Sequence, residues 1–400
     1  MTEAPRRSVL VTDGNERAAL ASVRSLGKAG FEVGVLADRR STLAGASRYA
    51  ARSHLAPSPL VEPAAYADAV CALAKAHGYR VVLPMSEAAH LALYPVEFRL
   101  APCRLAAAPA DRFQAVCDKE QVLREATALG LSVPAQIVLS SRPGPEWSLP
   151  VDALFPLVVK PARSVVGTTS ARRKLAVLHA ADMNELKSLL AGLAEAAYPV
   201  LLQQRIPGEG IGVFLLIWEG RELANFAHRR IREKPPGGGV SVARESVAQD
   251  PDLLDRTRAL FARFGWSGPG MLEFKRGADG TPYVMEINGR LWGSLQLAID
   301  AGVDFPRLLV EAVLGAAPAP PPRYEAGVRT RWWWGDVDHL IARFRHPEDA
   351  RLLPAGTPGP LRTALDVLLD GFRGAKGEIL RLSDPGPFFR ESLDWFRRGR

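Results

Sequence analysis

Apolar residues in this chain come in short runs broken by polar turns, and the runs change character along its length. Near the start, strand-like and helix-like runs alternate. Ser8-Val-Leu-Val-Thr12 reads as a short buried strand, and residues 15–30 follow as a helix with Ala18, Val23 and Leu26 on one face. Residues 31–37 read as a second strand, 66–77 as a helix stopped by Gly78, and 80–84 as a third strand. Such alternation predicts a doubly wound parallel sheet. Its strand-end loops, Thr12-Asp13-Gly14 and Pro84-Met85-Ser86-Glu87, are candidates for a substrate mouth. The first turn lacks GxGxxG, so no dinucleotide cofactor is inferred.

A second unit begins near Phe113. Asp118-Lys-Glu-Gln121 has the form of a helix start, with Asp118 as cap, and the helix runs to about Leu129. Residues 142–150 read as a loop, 155–160 as a strand closed by Pro161, 173–178 as one strand, 183–193 as a helix and 200–204 as a strand. Strands at 213–218 and 223–229 flank the turn Glu219-Gly220, a glycine loop spans 234–239, and 251–264 is helical. After a hairpin at 271–288 and a helix over about 294–301, the proline run 316–322 reads as a stiff linker. The remainder, with Trp332, Trp333 and Trp334, reads as helices docked on the body, the tryptophans serving as packing.

Length and composition narrow the classes. Four hundred residues suit two or three domains. No apolar run approaches the roughly 18 residues needed to span a bilayer, and Met1 to Gly14 does not resemble a signal peptide, so a cytoplasmic protein without membrane partners is expected. Cys71, Cys103 and Cys117 have no zinc-type spacing. The formal charge of +8 comes from interspersed charges with no long basic block, which argues against specific nucleic-acid binding. Only 9 of the 51 basic residues are lysine, so a lysine at a strand or helix end stands out.

The hairpin 271–288 carries the sharpest signal. A two-residue turn at Asp279-Gly280 would set Glu273 opposite Glu286. Alternation then places Glu273, Glu286 and Asn288 on one face, and Leu272, Phe274, Met285 and Ile287 on the other. Directly opposed carboxylates have Cβ atoms about 5 Å apart and repel. A cation would offset this, as would a shared proton or full solvation. Two carboxylates and an amide oxygen form a hard ligand set that suits Mg²⁺ or Mn²⁺. Arg290 extends the same face with a fork suited to an oxyanion.

These residues resemble the metal-binding end of the ATP-grasp enzymes, which include carbamoyl phosphate synthetase, biotin carboxylase and D-alanine–D-alanine ligase. The usual Glu-Ile-Asn-Pro-Arg appears here as Glu286-Ile-Asn-Gly-Arg290. The resemblance extends in order through Lys119 and Lys160 as phosphate lysines and the loop 164–169 as phosphate cover, with Ser164, Gly167 and Thr168. Next comes the strand holding Gln203 and Gln204 as the border of the adenine site, with Glu209 as a ribose contact. It covers about residues 1–320 and is nearest in style to the large subunit of carbamoyl phosphate synthetase and to bacterial carboxylate–amine ligases of unsettled substrate.

The resemblance implies a pre-ATP-grasp α/β domain over 1–115 and an ATP-grasp domain over 116–320. The latter divides into a lid at about 120–200 and a metal and substrate part at about 205–320. Residues 321–400 form a helical extension. The fold class is thus α/β with α+β. The implied activity uses ATP and Mg²⁺ to turn a carboxylic acid into its acyl phosphate, which an amine or thiol captures. A kinase on the same scaffold and a non-catalytic nucleotide-binding module are the alternatives. Arg290 would steady the reacting group, and Arg230, Arg232 and Ser241 would bind the acid. A homodimer is compatible with this reading.

Overall fold

The computed structural model describes residues 7–144, 146–149, 155–317, 319–346, 353 and 356–398. Residues 1–6, parts of the 142–150 loop, residues 151–154, Pro318 of the proline run and parts of the C-terminal tail lie outside the described residues.

Five short strands form the first sheet: β1 (Ser8–Val11), β2 (Glu32–Ala37), β3 (Arg52–Leu55), β4 (Val81–Leu83) and β5 (Arg104–Leu105). All pair in parallel, in the order β3-β2-β1-β4-β5. Helices α1 (Arg17–Lys28), α2 (Pro63–His77) and α3 (Glu87–Leu93) cover it. The strand order reverses between β1 and β4, so their carboxyl ends flank the crevice where ligands of such sheets bind. Ser86 caps α3 by accepting from the Ala89 amide, and Glu87 is the first residue of that helix.

Helices α4 (Ala110–Val116) and α5 (Lys119–Ala128) lead into a four-stranded antiparallel sheet. Its strands are β6 (Gln136–Leu139), β7 (Leu157–Pro161), β10 (Leu178–Ala180) and β11 (Val200–Gln204), in the order β10-β7-β11-β6. The hairpin β8 (Val165–Gly167) and β9 (Arg172–Lys174) projects beside it, and α6 (Met183–Gly192) packs on it. The single strand expected over 173–178 is therefore two. Arg173 and Lys174 belong to the exposed hairpin, Leu175 bonds back to Ser164, and only from Leu178 does the chain pair with β7.

The largest sheet has seven strands. They are β12 (Glu209–Trp218), β13 (Arg221–Lys234), β14 (Val240–Ser246), β15 (Gly268–Arg276), β16 (Pro282–Asn288), β17 (Arg329–Arg331) and β18 (Lys376–Gly377), in the order β16-β15-β12-β13-β14-β17-β18. One face packs on α5 and α7 (Pro251–Arg263), around Leu272, Phe274, Phe261 and Trp266. On the other side α8 (Leu295–Asp300), α9 (Phe305–Val313) and α1 share a core with Phe214, Phe226 and Trp292, which fastens the first sheet to the largest one.

Helices α10 (Trp333–Arg345), α11 (Pro360–Leu369) and α12 (Gly386–Arg398) complete the fold. Trp334 stacks on Trp395 at 4.2 Å between centroids, and Trp332 lies under the Arg17 guanidinium. Buried Arg24 of α1 binds Asp384 at 2.8 Å and donates to the carbonyls of Glu378 and Ile379. Among the described residues, no helix is long and apolar enough to cross a membrane.

His90 of α3 is buried, stacks on Phe113 and bonds through Nδ1 to the Ser86 carbonyl oxygen. Burial pushes its imidazole down to about 4. The unfolded chain takes up that proton near pH 6.5. Stability is therefore complete above about 6.5 and is lost as the pH falls toward 4, by about 3 kcal/mol for this group. Denaturant unfolding at pH 7 and pH 4 should show His90→Gln losing about that much less than the parent chain.

Candidate active site

The site is built on the β15–β16 pair. Glu273 lies opposite Glu286, Leu272 opposite Ile287 and Met271 opposite Asn288. The turn that produces this register is not the expected two-residue one. Arg276 pairs with Pro282, and Asp279 accepts from the Thr281 amide at 3.0 Å and its hydroxyl at 2.8 Å, which lengthens the loop to 277–281. The resulting one-residue offset is absorbed by a bulge next to Glu273. The bulge corrects one expectation. Val284, not Met285, joins Leu272, Phe274 and Ile287 in the apolar layer. Met285 instead brings its sulfur to 3.9 Å from Lys160 Nζ.

Two lysines converge on these carboxylates. Lys119 is the first residue of α5, whose cap Asp118 accepts from the Gln121 amide. Its own amide bonds to the Ala162 carbonyl just past β7, which fixes the helix start beside that strand. Lys119 Nζ donates to Ser164 Oγ at 2.8 Å and lies 3.5 Å from Glu286. Lys160 sits near the end of β7 and donates to Gln203 Oε1 at 2.7 Å, while Gln203 Nε2 donates to Gln136 at 3.0 Å. Burial holds the Lys160 ammonium below its usual range, with Glu286 and Glu273 opposing. Burial pushes Glu286 up, but Lys119, Lys160, Asn288 and Arg290 together outweigh it and hold that carboxyl below its usual range. Glu273 is raised, chiefly by burial, with Arg230 opposing and Glu286 reinforcing.

Arg230 of β13 reaches across the sheet to Glu273 at 2.6 Å and also binds Glu233 at 3.0 Å. Glu233 in turn binds Lys275 at 2.9 Å. Arg232 goes elsewhere: Asp336 and Asp370 of the C-terminal helices enclose its guanidinium, away from the carboxylate pair. Ser241 donates to the Ala243 carbonyl. Glu209 is paired with Arg229 at 3.0 Å, and it alternates with Gly210 onto the face opposite Glu273. The Gln204 backbone N–H donates to the Ala135 carbonyl. In the 164–169 loop, Ser164 touches the site through Lys119, while Thr168 sits at the exposed tip. Gly167 has φ +129°, and a Cβ there would meet the Ala171 carbonyl at 2.3 Å.

A cleft of about 330 Å³ opens here, lined by Glu87, Lys119, Ser164, Glu286, Asn288 and Arg290. Glu87 arrives from the start of α3, and burial raises its carboxyl while Lys119 and Arg290 oppose. Asn288 Nδ2 bonds to Glu286 at 3.2 Å, and Arg290 Nη1 bonds to the Leu291 carbonyl at 3.0 Å.

A family model described as "ATP-grasp in the biosynthetic pathway with Ter operon" matches residues 196–334. The L-amino acid ligase of Bacillus licheniformis superposes with a TM-score of 0.58 at 17% identity, over 80% of this chain and 76% of that one. The N5-carboxyaminoimidazole synthetase of Staphylococcus aureus, in complex with ADP, gives 0.63 at 14%, over 86% and 90%. The biotin carboxylase of Campylobacter jejuni gives 0.62 at 14%, over 81% and 74%. The chain has the ATP-grasp fold. No curated protein matches it in sequence.

The donor set of this site fits a hard divalent ion that arrives with other ligands. Among the described residues no cluster of three or more His, Cys, Asp or Glu forms a metal cage. Two facing carboxylates and one amide leave most coordination positions to ligand oxygens, as Mg²⁺ prefers.

The Gln136–Gln203–Lys160 chain can be tested by itself. Gln203→Leu removes the acceptor of a buried ammonium and should cost about 1–3 kcal/mol in urea unfolding. A change below about 0.5 kcal/mol, the size of an ordinary surface substitution, would show that this chain does not hold the ammonium.

Proposed function

We propose that this protein is an ATP-dependent carboxylate–amine ligase that works through an acyl phosphate. The observation that carries the reading is the meeting of Lys119 and Lys160 with the facing pair Glu273 and Glu286. Four charged groups drawn from two sheets and a helix start make an expensive arrangement unless a polyanion and a cation complete it.

On this reading Lys119 and Lys160 bind phosphate oxygens as point charges, and the loop 164–169 covers them. Glu273, Glu286 and Asn288 hold Mg²⁺ or Mn²⁺, which supplies charge neutralisation at the terminal phosphates. Arg290 orients the acid's carboxylate. One carboxylate oxygen attacks the γ-phosphorus and the bond to the ADP oxygen breaks. The amine then attacks the acyl carbon, phosphate leaves with the bonding pair, and the amine sheds a proton. The glutamines 203 and 204 border the base, and Glu209, if it contacts the ribose, does so only after leaving Arg229. The L-amino acid ligase among the similar structures favours an amine as acceptor.

The test is ADP release across a panel of acids and amines, with hydroxylamine as a general trap for acyl phosphate. ADP release should require an acid, and hydroxamate should form with hydroxylamine. Glu286→Gln should lower turnover by at least about 100-fold, as loss of one charge-stabilising group typically does. A stable phosphate ester as product would instead identify a kinase. Acid-independent ADP release would sink the ligase reading.

A further inference from the structure

The seat of the divalent ion is already charge-filled. Arg230 holds Glu273 at 2.6 Å, Lys119 stands 3.5 Å from Glu286, and Asn288 occupies the other Glu286 oxygen at 3.2 Å. Three carboxylates (Glu233, Glu273, Glu286) face the four cations Arg230, Lys275, Lys119 and Lys160. A divalent ion drawn to both glutamates would share Glu273 with a guanidinium, and the two positive centres would repel across a few ångströms of low-dielectric interior.

Arg230 is also built to move without leaving. Its second arm stays on Glu233 at 3.0 Å and on the Gly239 carbonyl at 3.2 Å. Gly210 lies beneath its stem, where a Cβ would stand 2.7 Å from Arg230 Cδ. The glycine loop that supplies Gly239 includes Gly238 at φ +141°. Arg230 Nε is buried and has no hydrogen-bond partner. Once Nη2 leaves Glu273, Nε and Nη2 form a free two-pronged edge matched to a carboxylate.

We propose that Arg230 is the resident counter-ion of the metal seat, and that the divalent ion enters by exchange with it. The exchange hands the guanidinium edge to the carboxylate of the acid substrate. Metal binding and acid binding are thereby linked, and each strengthens the other. This rests on the ligase reading in one respect, that Glu273 and Glu286 seat the ion. Arg230 is a positioning residue before the exchange and a substrate ligand after it.

The test uses the full-length, nucleotide-free protein and Mn²⁺ alone, with free Mn²⁺ read by electron paramagnetic resonance. Removing the competitor should tighten the seat, so Arg230→Gln should bind Mn²⁺ at least tenfold more tightly than the parent chain, and Glu286→Gln should abolish that binding. Acetate, the smallest carboxylate probe, should tighten Mn²⁺ binding several-fold in the parent chain and leave Arg230→Gln unchanged. Mn²⁺ binding that depends on Glu286 but is equal in the parent and in Arg230→Gln would overturn the exchange while leaving the metal seat standing. Absence of Glu286-dependent binding in either, with or without ADP, would overturn both. Should Arg230→Gln fail to fold, a structure of the parent chain with Mn²⁺ decides. Nη2 should then stand beyond hydrogen-bond reach of Glu273, and a retained 2.6 Å pair beside a seated ion would refute the exchange.

Discussion

Two carboxylates set opposite each other on neighbouring strands are the constraint around which this molecule is arranged. Glu273 and Glu286 share one face of the largest sheet and repel at that spacing. Each is given a separate source of positive charge. Arg230 answers Glu273 from two strands away, and Lys119 answers Glu286 from the start of a helix in another unit. Lys160 approaches from a third direction, on β7 of the four-stranded sheet, held by a chain of glutamine amides. The site is therefore a place where separate sheets meet, and its charge balance depends on all of them being folded.

The parts farthest from the chemistry hold this meeting in place. The β13–β14 hairpin carries Arg230, and its outer end is gripped by the C-terminal helices. Arg232 lies between Asp336 and Asp370, and His339 bonds to the Glu233 carbonyl oxygen at 2.7 Å. Those helices are tied in turn to the first sheet, through Arg24 on Asp384 and through Glu378, which binds both Arg17 and the fully buried Arg244. Buried ion pairs of this kind add little net stability, but breaking one partner costs several kcal/mol. They fix the position of the hairpin relative to the crevice between β1 and β4, from which Glu87 enters the site.

Much of this was legible in the sequence because it follows from local pattern. The alternation at the start specifies the parallel sheet, and Asp118 announces the helix that presents Lys119. A two-residue turn at Asp279-Gly280 would set Glu273 opposite Glu286, but the chain reaches the same opposition by a longer loop and a bulge that cancel each other. The same bulge defeats strict alternation at Met285. Arg230 and Arg232 look alike in sequence, and only the pairing of β13 with distant partners separates one on the Glu273 face from one enclosed by the C-terminal helices. Glu87 could be named as a strand-end residue, but nothing local shows that it faces Lys119 and Arg290. Short strands such as β5 and β18, of two residues each, carry no pattern of their own and exist through their neighbours.

If lysines and carboxylates from separate elements of the fold act on one bound nucleotide–metal complex, their effects on its binding are coupled. A double-mutant cycle on the binding of Mg²⁺ and ADP tests it most directly, with Lys160→Met and Glu286→Gln made singly and together. Groups acting on a shared ligand should be non-additive by at least about 1 kcal/mol. Additivity within about 0.5 kcal/mol, the behaviour of independent positions, would contradict the account.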